Sequence, residues 1–119
     1  MNNALRILLI SNSNEIGGGN RSLETLSLGL RQNGHLPFIV FPKEGPAPDL
    51  FREHGLKVII NPLNSPSIKD LYTTFKSFFT WNKIIKKHSI DLIHANGSLA
   101  ARSVILSAKA YKKSVICHI

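Results

Sequence analysis

The chain has 119 residues, of which 43% are hydrophobic, and its fifteen Lys and Arg outnumber seven Asp and Glu to give a net charge of +8. This length suits one domain with its own hydrophobic core. We expect no membrane-spanning helix, because no apolar run approaches about 18 residues. We expect no secretory signal, because the apolar run over residues 5–10 is too short and leads into polar loop residues. The basic charge favours nucleic acid, anionic lipid or phosphorylated ligands, without choosing among them.

The first half of the chain alternates predicted strands and helices. Residues 5–11 read as a buried strand, and a polar loop over residues 12–19 leads into a helix over 20–33. That helix carries Leu23, Leu26 and Leu30 on one face and ends at Gly34, which suits a left-handed cap. A strand over 36–41, a short helix between Pro48 and Gly55 and a strand over 56–60 follow.

The second half continues the alternation after a proline-containing loop over residues 61–67. We predict helices over 68–88 and 98–111 and strands over 91–95 and 114–118. Strands that are apolar on both faces and alternate with helices predict an α/β fold, a Rossmann-like doubly wound parallel sheet of about five strands. The chain stops directly after a strand, which favours a piece of a longer protein over a natural edge strand.

Ligands of such sheets bind beyond the carboxyl ends of the strands, where the strand order reverses. We therefore expect strands one and four to be neighbours, with residues 17–19 and 94–98 facing one crevice. Cys117 is the sole cysteine, so no internal disulfide can form, and a reducing cytoplasm fits. Its place in an apolar strand predicts a small core residue.

The triple glycine Gly17, Gly18 and Gly19 is the most informative feature of the sequence. It places backbone without side chains at a helix N-terminus, where free N–H groups favour an anionic or polyhydroxyl ligand, and Asn20 follows directly. A nicotinamide or flavin site is disfavoured, because residues 12–16 separate the strand from the glycines. A glycine turn that merely starts the helix remains an alternative.

The end of strand four supplies further candidates for substrate binding. His94 and Asn96 can contact a substrate hydroxyl or phosphate, although His94 also suits a core histidine bonded to a loop. We predict Ser98 as the N-cap of the last helix. No cluster of residues has the spacing of metal ligands, so we expect no metal site.

The third predicted helix combines basic and aromatic residues. Leu71, Phe75, Phe78 and Ile85 form its predicted buried stripe. A separate stripe, flanked by Tyr72 and Phe79, consists of Lys69, Lys76, Lys83 and Lys87. Such a stripe is typical of a helix that lies on an anionic membrane surface, but it is also found on a solvated face or against another domain.

The ordered set of motifs resembles the N-terminal half of a family-four glycosyltransferase, a retaining enzyme with two Rossmann-like domains (the GT-B fold). The matching segments include Gly-Gly-Gly-Asn-Arg-Ser at 17–22 and Asp-Leu-Ile-His-Ala-Asn at 91–96. Further matches are residues 11–13, 28–35, 42–46 and 115–118. The resemblance covers essentially the whole chain.

The resemblance implies transfer of a sugar from a nucleotide-sugar donor to a glycan or lipid-linked acceptor. Residues 1–119 would be the acceptor-side domain, without the C-terminal donor-binding domain. Gly17, Gly18, Gly19, Asn20, Asn96 and Ser98 would bind substrate, and His94 is the candidate catalytic residue. No cofactor is implied beyond the nucleotide sugar as donor.

The chain departs from the family in two respects. Asn96 stands where the family often places a histidine, and the family's pair of glutamates separated by seven residues is absent. We therefore expect the chain alone to transfer no sugar. The resemblance implies polysaccharide or glycolipid synthesis in the cytoplasm, peripheral to the inner face of the membrane. The alternatives are a non-catalytic Rossmann-like module that binds a nucleotide or a protein, and a nucleic-acid binder, which the absence of a stacking platform disfavours.

Overall fold

The computed structural model describes residues 3–118, which form a parallel sheet with helices on both faces. The elements in chain order are β1 (Arg6–Ser11), α1 (Gly18–Gln32), β2 (Leu36–Phe41), α2 (Pro46–Glu53), β3 (Lys57–Ile60), α3 (Leu71–Lys87), β4 (Leu92–Asn96), α4 (Ser98–Ala110) and β5 (Ser114–His118). The predicted fold class is confirmed, and the predicted ends of elements differ from these by no more than three residues.

The sheet has the strand order β3-β2-β1-β4-β5, and every pairing is parallel. The chain moves outward from β1 to β3 and then returns to place β4 on the other side of β1. The order therefore reverses between β1 and β4, as predicted. Ser11 pairs with Asn96 at the carboxyl end of this pair, which brings the two loops that follow to the same edge.

The core consists of two apolar layers, one on each face of the sheet. On one face α1 and α2 pack through Leu23 and Phe51 against Leu9 and Ile39 of the central strands. On the other face α3 and α4 pack against the opposite side chains of the same strands, with Trp81 fully buried at the centre. Strands covered on both faces must be apolar throughout, which explains why the strand predictions succeeded.

The buried face of α3 differs from the prediction. Ile85 is buried and Phe78 partly so, but Leu71 and Phe75 are 53% and 56% exposed. The helix instead buries Ser77, Trp81, Ile84 and Ile85. The prediction failed because it assumed that α3 packs along its whole length, whereas its first six residues include no buried residue.

Cys117 is also placed differently from the prediction, because it is exposed. It lies on β5, at the outer edge of the described sheet, and Val115 is the one residue of that strand that packs against the core. A strand at the edge of a sheet has fewer covering side chains than a central one. No helix within residues 3–118 is long and apolar enough to cross a membrane.

Candidate functional site

A cleft of about 430 Å³ opens at the carboxyl ends of β1 and β4, where the strand order reverses. Its walls are the loop over residues 12–17, the start of α1, the tip of β4 and the end of β5. The lining residues are Ser11, Asn12, Ser13, Glu15, Gly17, Gly19, Asn20, Asn96, Gly97, Ser98 and His118. The triple glycine and the Asn96-Gly97-Ser98 tip therefore share one cleft.

The fold does not require the triple glycine, of which Gly17 and Gly19 line the cleft. Helix α1 begins at Gly18, with Gly17 as its N-cap in an extended conformation, so the predicted loop ends two residues earlier than expected. None of the three has a positive φ. A Cβ on Gly17 or Gly18 would meet no atom within 4 Å, and one on Gly19 would lie 3.4 Å from Asn96 Nδ2. Because glycine in a helix is less stable than alanine by about 0.5–1 kcal/mol, we infer that these positions are open for a ligand.

The N-terminus of α1 also lacks the partners that helix ends usually have. No side chain caps it, and its first turn contains no acidic residue. The first N–H groups of a helix have no acceptor inside the helix, and they carry the positive end of its dipole. The cleft thus presents hydrogen-bond donors and a partial positive charge, which suit a phosphate or another oxyanion.

Asn20 holds the loop in shape. It is a buried residue, and its side-chain Nδ2 donates to the carbonyl oxygens of Ser13 at 2.9 Å and Glu15 at 2.6 Å. Its Oδ1 accepts a hydrogen bond from the Ser11 hydroxyl at 2.5 Å. We predicted this side chain for substrate binding, but its Nδ2 and Oδ1 are both bonded to the loop and to the end of β1.

Asn12 connects the loop to α4. Its Oδ1 accepts from the backbone N–H of Ala100 at 3.0 Å, which caps the first turn of α4. The predicted N-cap was wrong: Gly97 is the N-cap and Ser98 is the first helical residue, with no side-chain cap from either. Gly97 has a φ of +121°, and a Cβ there would clash with the Asn12 amide. Because a residue with a side chain, such as serine, does not readily adopt this φ, position 97 carries no capping side chain. The cap comes instead from Asn12, in the loop after β1.

Asn14 makes the equivalent connection to α2. Its backbone carbonyl oxygen accepts from the Ala47 N–H at 2.9 Å, and its side-chain Nδ2 donates to the backbone carbonyl of Glu44 at 2.8 Å. The N-cap of α2 is Gly45, which has no side chain to cap the helix and against which Asn14 packs. Sequence reasoning missed Asn12 and Asn14. The available signal was a glycine directly before each helix, since such a helix needs a cap from elsewhere.

His94 does not line the main cleft. It lies on β4, two residue pairs before the carboxyl end of the strand, and borders an adjoining hollow of about 180 Å³ that shares Asn96 and His118 with the cleft. Its ring stacks on that of His118 with centroids 6.2 Å apart. Burial, reinforced by electrostatic repulsion from His118, lowers the pKa of His94 from its ordinary value of 6.5. At pH 7 the His94 ring is therefore neutral, so one of its nitrogens donates a hydrogen bond and the other accepts one.

Asn96 lies between the hollow and the cleft. Its Nδ2 donates to the carbonyl oxygen of Gly19 at 3.2 Å, which ties the tip of β4 to the first turn of α1. The predicted crevice is thus formed by Asn96, Gly97 and Ser98 with the glycines, and His94 stands behind Asn96. No cluster of three or more potential metal ligands exists within residues 3–118.

A second surface, which we call the α3 surface, lies along the first half of α3 and the segment just before it. It consists of large apolar side chains that are 53% to 90% exposed: Ile68, Leu71, Tyr72, Phe75 and Phe79. Lys69 and Lys76 flank it, and Lys83 and Lys87 lie one and two turns beyond Phe79. All four lysines are exposed, and Asp70, the N-cap of α3, is the one acidic residue between positions 68 and 88.

Comparison with known proteins identifies the family. A sequence model of Glycosyltransferase Family 4 matches residues 16–119. The chain belongs to Glycosyltransferase Family 4. Among curated proteins, no sequence matches.

Solved structures share the fold of this family member at low sequence identity. A glycosyltransferase from Rickettsia africae ESF-5 superimposes with a TM-score of 0.80 and 23% identity, over 98% of this chain and 30% of that one. MurG from Acinetobacter baumannii gives 0.76 and 14%, over 96% and 34%. Anabaena Alr3699/HepE in complex with UDP-glucose gives 0.71 and 18%, over 97% and 29%. The chain thus spans about a third of the length of these proteins.

Proposed function

We propose that this chain is the N-terminal, acceptor-side domain of a retaining glycosyltransferase that transfers a sugar from a nucleotide-sugar donor to a glycan or lipid-linked acceptor. The carrying observation is the shared cleft, in which Gly17 leaves open space beside an uncapped helix N-terminus. Family membership supports the reaction class. The HepE structure in complex with UDP-glucose supports a nucleotide sugar as donor.

In this proposal the backbone at the start of α1 faces the diphosphate of the donor. Breaking the glycosidic bond to a nucleoside diphosphate adds negative charge to the leaving phosphate. Fixed N–H groups aimed at that position stabilise the charge as it develops, because they need no reorganisation during the reaction. A Cβ on Gly17 would stand between these donors and a phosphate, although it meets nothing in the free protein.

His94 and Asn96 serve the acceptor side of the cleft in this proposal. The neutral imidazole of His94 can hydrogen-bond a sugar hydroxyl, and Asn96 holds the tip of β4 against Gly19. The paired carboxylates of the family are absent from this sequence, so we propose that a C-terminal donor-binding domain supplies them and that the chain alone transfers no sugar.

The test is sugar transfer by this domain joined to its donor-binding domain, assayed with a panel of nucleotide sugars and membrane-extracted acceptors. We expect Gly17→Ala to lower kcat/KM for the donor about tenfold or more, because Gly17 lines the cleft. Gly29→Ala is the matched control, because Gly29 lies in α1 away from the cleft and a Cβ there also meets nothing within 4 Å. Equal activity of the two variants contradicts the role of the cleft. Nucleotide binding without transfer by the intact protein favours the non-catalytic module.

We also propose that the α3 surface docks this domain on an anionic membrane at the cytoplasmic side. The supporting observation is the combination of five exposed apolar side chains with exposed lysines and one acidic residue. Apolar side chains at the level of the headgroups gain by leaving water, and each lysine near an anionic surface adds about 1 kcal/mol. A lipid-linked acceptor would then be reached without leaving the bilayer.

A further inference from the structure

A groove of about 200 Å³ lies between the carboxyl end of β3 and the first three turns of α3. It opens at the same edge of the sheet as the glycine cleft, but none of the residues that line it lines the cleft. Asn61 forms its inner end, held in place because its backbone N–H donates to the carbonyl of Phe41 at 3.0 Å. Tyr72, Lys76 and Ser77 of α3 line the other side.

Two polar groups that line this groove have no partner in the protein. Asn61 is 6% exposed and Ser77 is 9% exposed, and neither the Nδ2 of Asn61 nor the Oγ of Ser77 makes a hydrogen bond. Buried polar atoms are satisfied in nearly all native structures, so an unpaired group at a cavity indicates an occupant that supplies the missing partner. Two such groups on facing elements, in a space large enough for several water molecules, indicate a polar ligand.

The remaining lining residues restrict the chemistry of this ligand. Thr73 and Thr80 add hydroxyl groups, and Lys76 adds a positive charge, while no carboxylate lines the groove. The ring of Tyr72 is 76% exposed and offers an apolar face of the kind on which sugar rings pack. These groups together suit a ligand with several hydroxyls and one anionic group.

We propose that this groove is a binding site for a hydroxyl-rich, phosphate-bearing group, and that it holds the headgroup of the acceptor. Tyr72 belongs both to the groove and to the α3 surface, so a headgroup bound here can remain attached to a lipid in the membrane. The same chemistry is found in a free sugar phosphate. The assignment to the acceptor rests on the proposed function, whereas binding in the groove does not.

The experiment is a titration of the isotopically labelled chain, followed by amide NMR. The soluble probe is glucose 6-phosphate, and the membrane probe is a nanodisc containing phosphatidylglycerol, compared with one of phosphatidylcholine alone. The readout is the side-chain amide of Asn61, together with the backbone amides of residues 72–80. We expect one of the two probes to shift these signals saturably.

Variants separate the groove from general charge attraction. Lys76→Gln and Asn61→Leu should each weaken binding about tenfold, since each removes a hydrogen bond to a charged or polar group of the ligand. Ser77→Ala is a smaller change that leaves the packing of α3 intact, and it should weaken binding too. Lys83→Gln is the matched control, because Lys83 lies on the same helix but outside the groove.

Saturation with glucose 6-phosphate supports the site with a free ligand, and saturation with phosphatidylglycerol nanodiscs alone supports it with a lipid headgroup. The proposal is overturned when neither probe shifts the Asn61 side-chain amide, when Lys83→Gln weakens glucose 6-phosphate binding as much as Lys76→Gln, or when Asn61→Leu and Ser77→Ala leave the binding of both probes unchanged. Gly17→Ala should leave groove binding unchanged, so a failure of the cleft and a failure of the groove are read out separately.

Discussion

Asn12 and Gly97 lie so close together that no side chain can occupy position 97 while Asn12 keeps its place. The Asn12 amide occupies the space of the missing Cβ and reaches past it to cap α4 at Ala100. The loop that carries the triple glycine is therefore bonded to the helix on the opposite wall of the cleft. The Asn14 side chain likewise fills the space of a Cβ on Gly45, and the backbone carbonyl of Asn14 accepts from Ala47 of α2.

The first prediction concerns the coupling of Asn12 and Gly97. Gly97→Ala should destabilise the chain by about 2 kcal/mol or more, because it adds a clash to an unfavourable φ of +121°. Asn12→Ala should lose about 1 kcal/mol with the cap. The double variant should lose less stability than the sum of the two single losses, since removing the Asn12 amide removes the clash. Urea unfolding measures this, and additivity within about 0.5 kcal/mol would contradict the contact.

The second prediction concerns Asn14 and Gly45. Gly45→Ala should lower the thermal midpoint of unfolding, because its Cβ would run into the side chain of Asn14. In an Asn14→Ala background the same substitution should have a much smaller effect. Gly29→Ala is the control, and it should raise the midpoint, since a Cβ there meets nothing and glycine weakens a helix interior. An equal loss from Gly45→Ala in both backgrounds would refute the packing.

The third prediction tests membrane docking by the α3 surface. Phe75→Ser combined with Phe79→Ser should reduce co-sedimentation with phosphatidylglycerol vesicles by about tenfold or more, because burial of each ring is worth about 1.5–3 kcal/mol. Lys76→Gln should weaken binding mainly at low salt. Leu36→Ser is the control, since Leu36 is 40% exposed at the start of β2, outside the α3 surface. Unchanged binding of the double variant would instead favour another domain as the partner of this surface.

The fourth prediction concerns the pH dependence of His94. Its pKa is lowered by burial first and by His118 second, so His118→Asn should raise it only part of the way toward 6.5. The unfolded chain binds a proton at His94 more readily than the folded chain does. His94 therefore does not reduce the free energy of unfolding above about pH 6.5, and this free energy declines as the pH falls below that value. NMR titration of the His94 imidazole measures this pKa in the unaltered chain and in the His118→Asn variant. The pKa of His88, lowered by burial and by other cations, should not respond to His118→Asn.

The sheet could be predicted from the sequence because local sequence patterns mark its strands and the helices between them. Each strand is a short apolar run, and α1 and α2 end just before Gly34 and Gly55, whose φ values of +86° and +74° suit a left-handed cap. The return of the chain to place β4 beside β1 followed from the general behaviour of doubly wound sheets. The position of the cleft then followed from the strand order.

The details of the site could not be predicted, because they depend on contacts between distant segments. Asn12 caps a helix that begins 86 positions later in the sequence, at Ser98, and nothing local marks it for that role. The exposure of Phe75 and Cys117 likewise depends on how far the neighbouring elements extend over them. Periodicity identifies which residues share a face, but the length over which two elements touch is a tertiary property.

The bonds of Asn12 and Asn14 also restrict which changes of chain length this domain tolerates. Only one residue separates the two asparagines, yet they reach helices on opposite faces of the sheet. An insertion or deletion between Ser11 and Glu15 would release at least one of these helices, whereas the connection over residues 62–69 is bonded through Ser67 to Thr74 of α3 and to neither of these helices, so it can change in size with less effect. Among relatives of this domain, we expect the spacing of the first loop to be held constant while that connection varies.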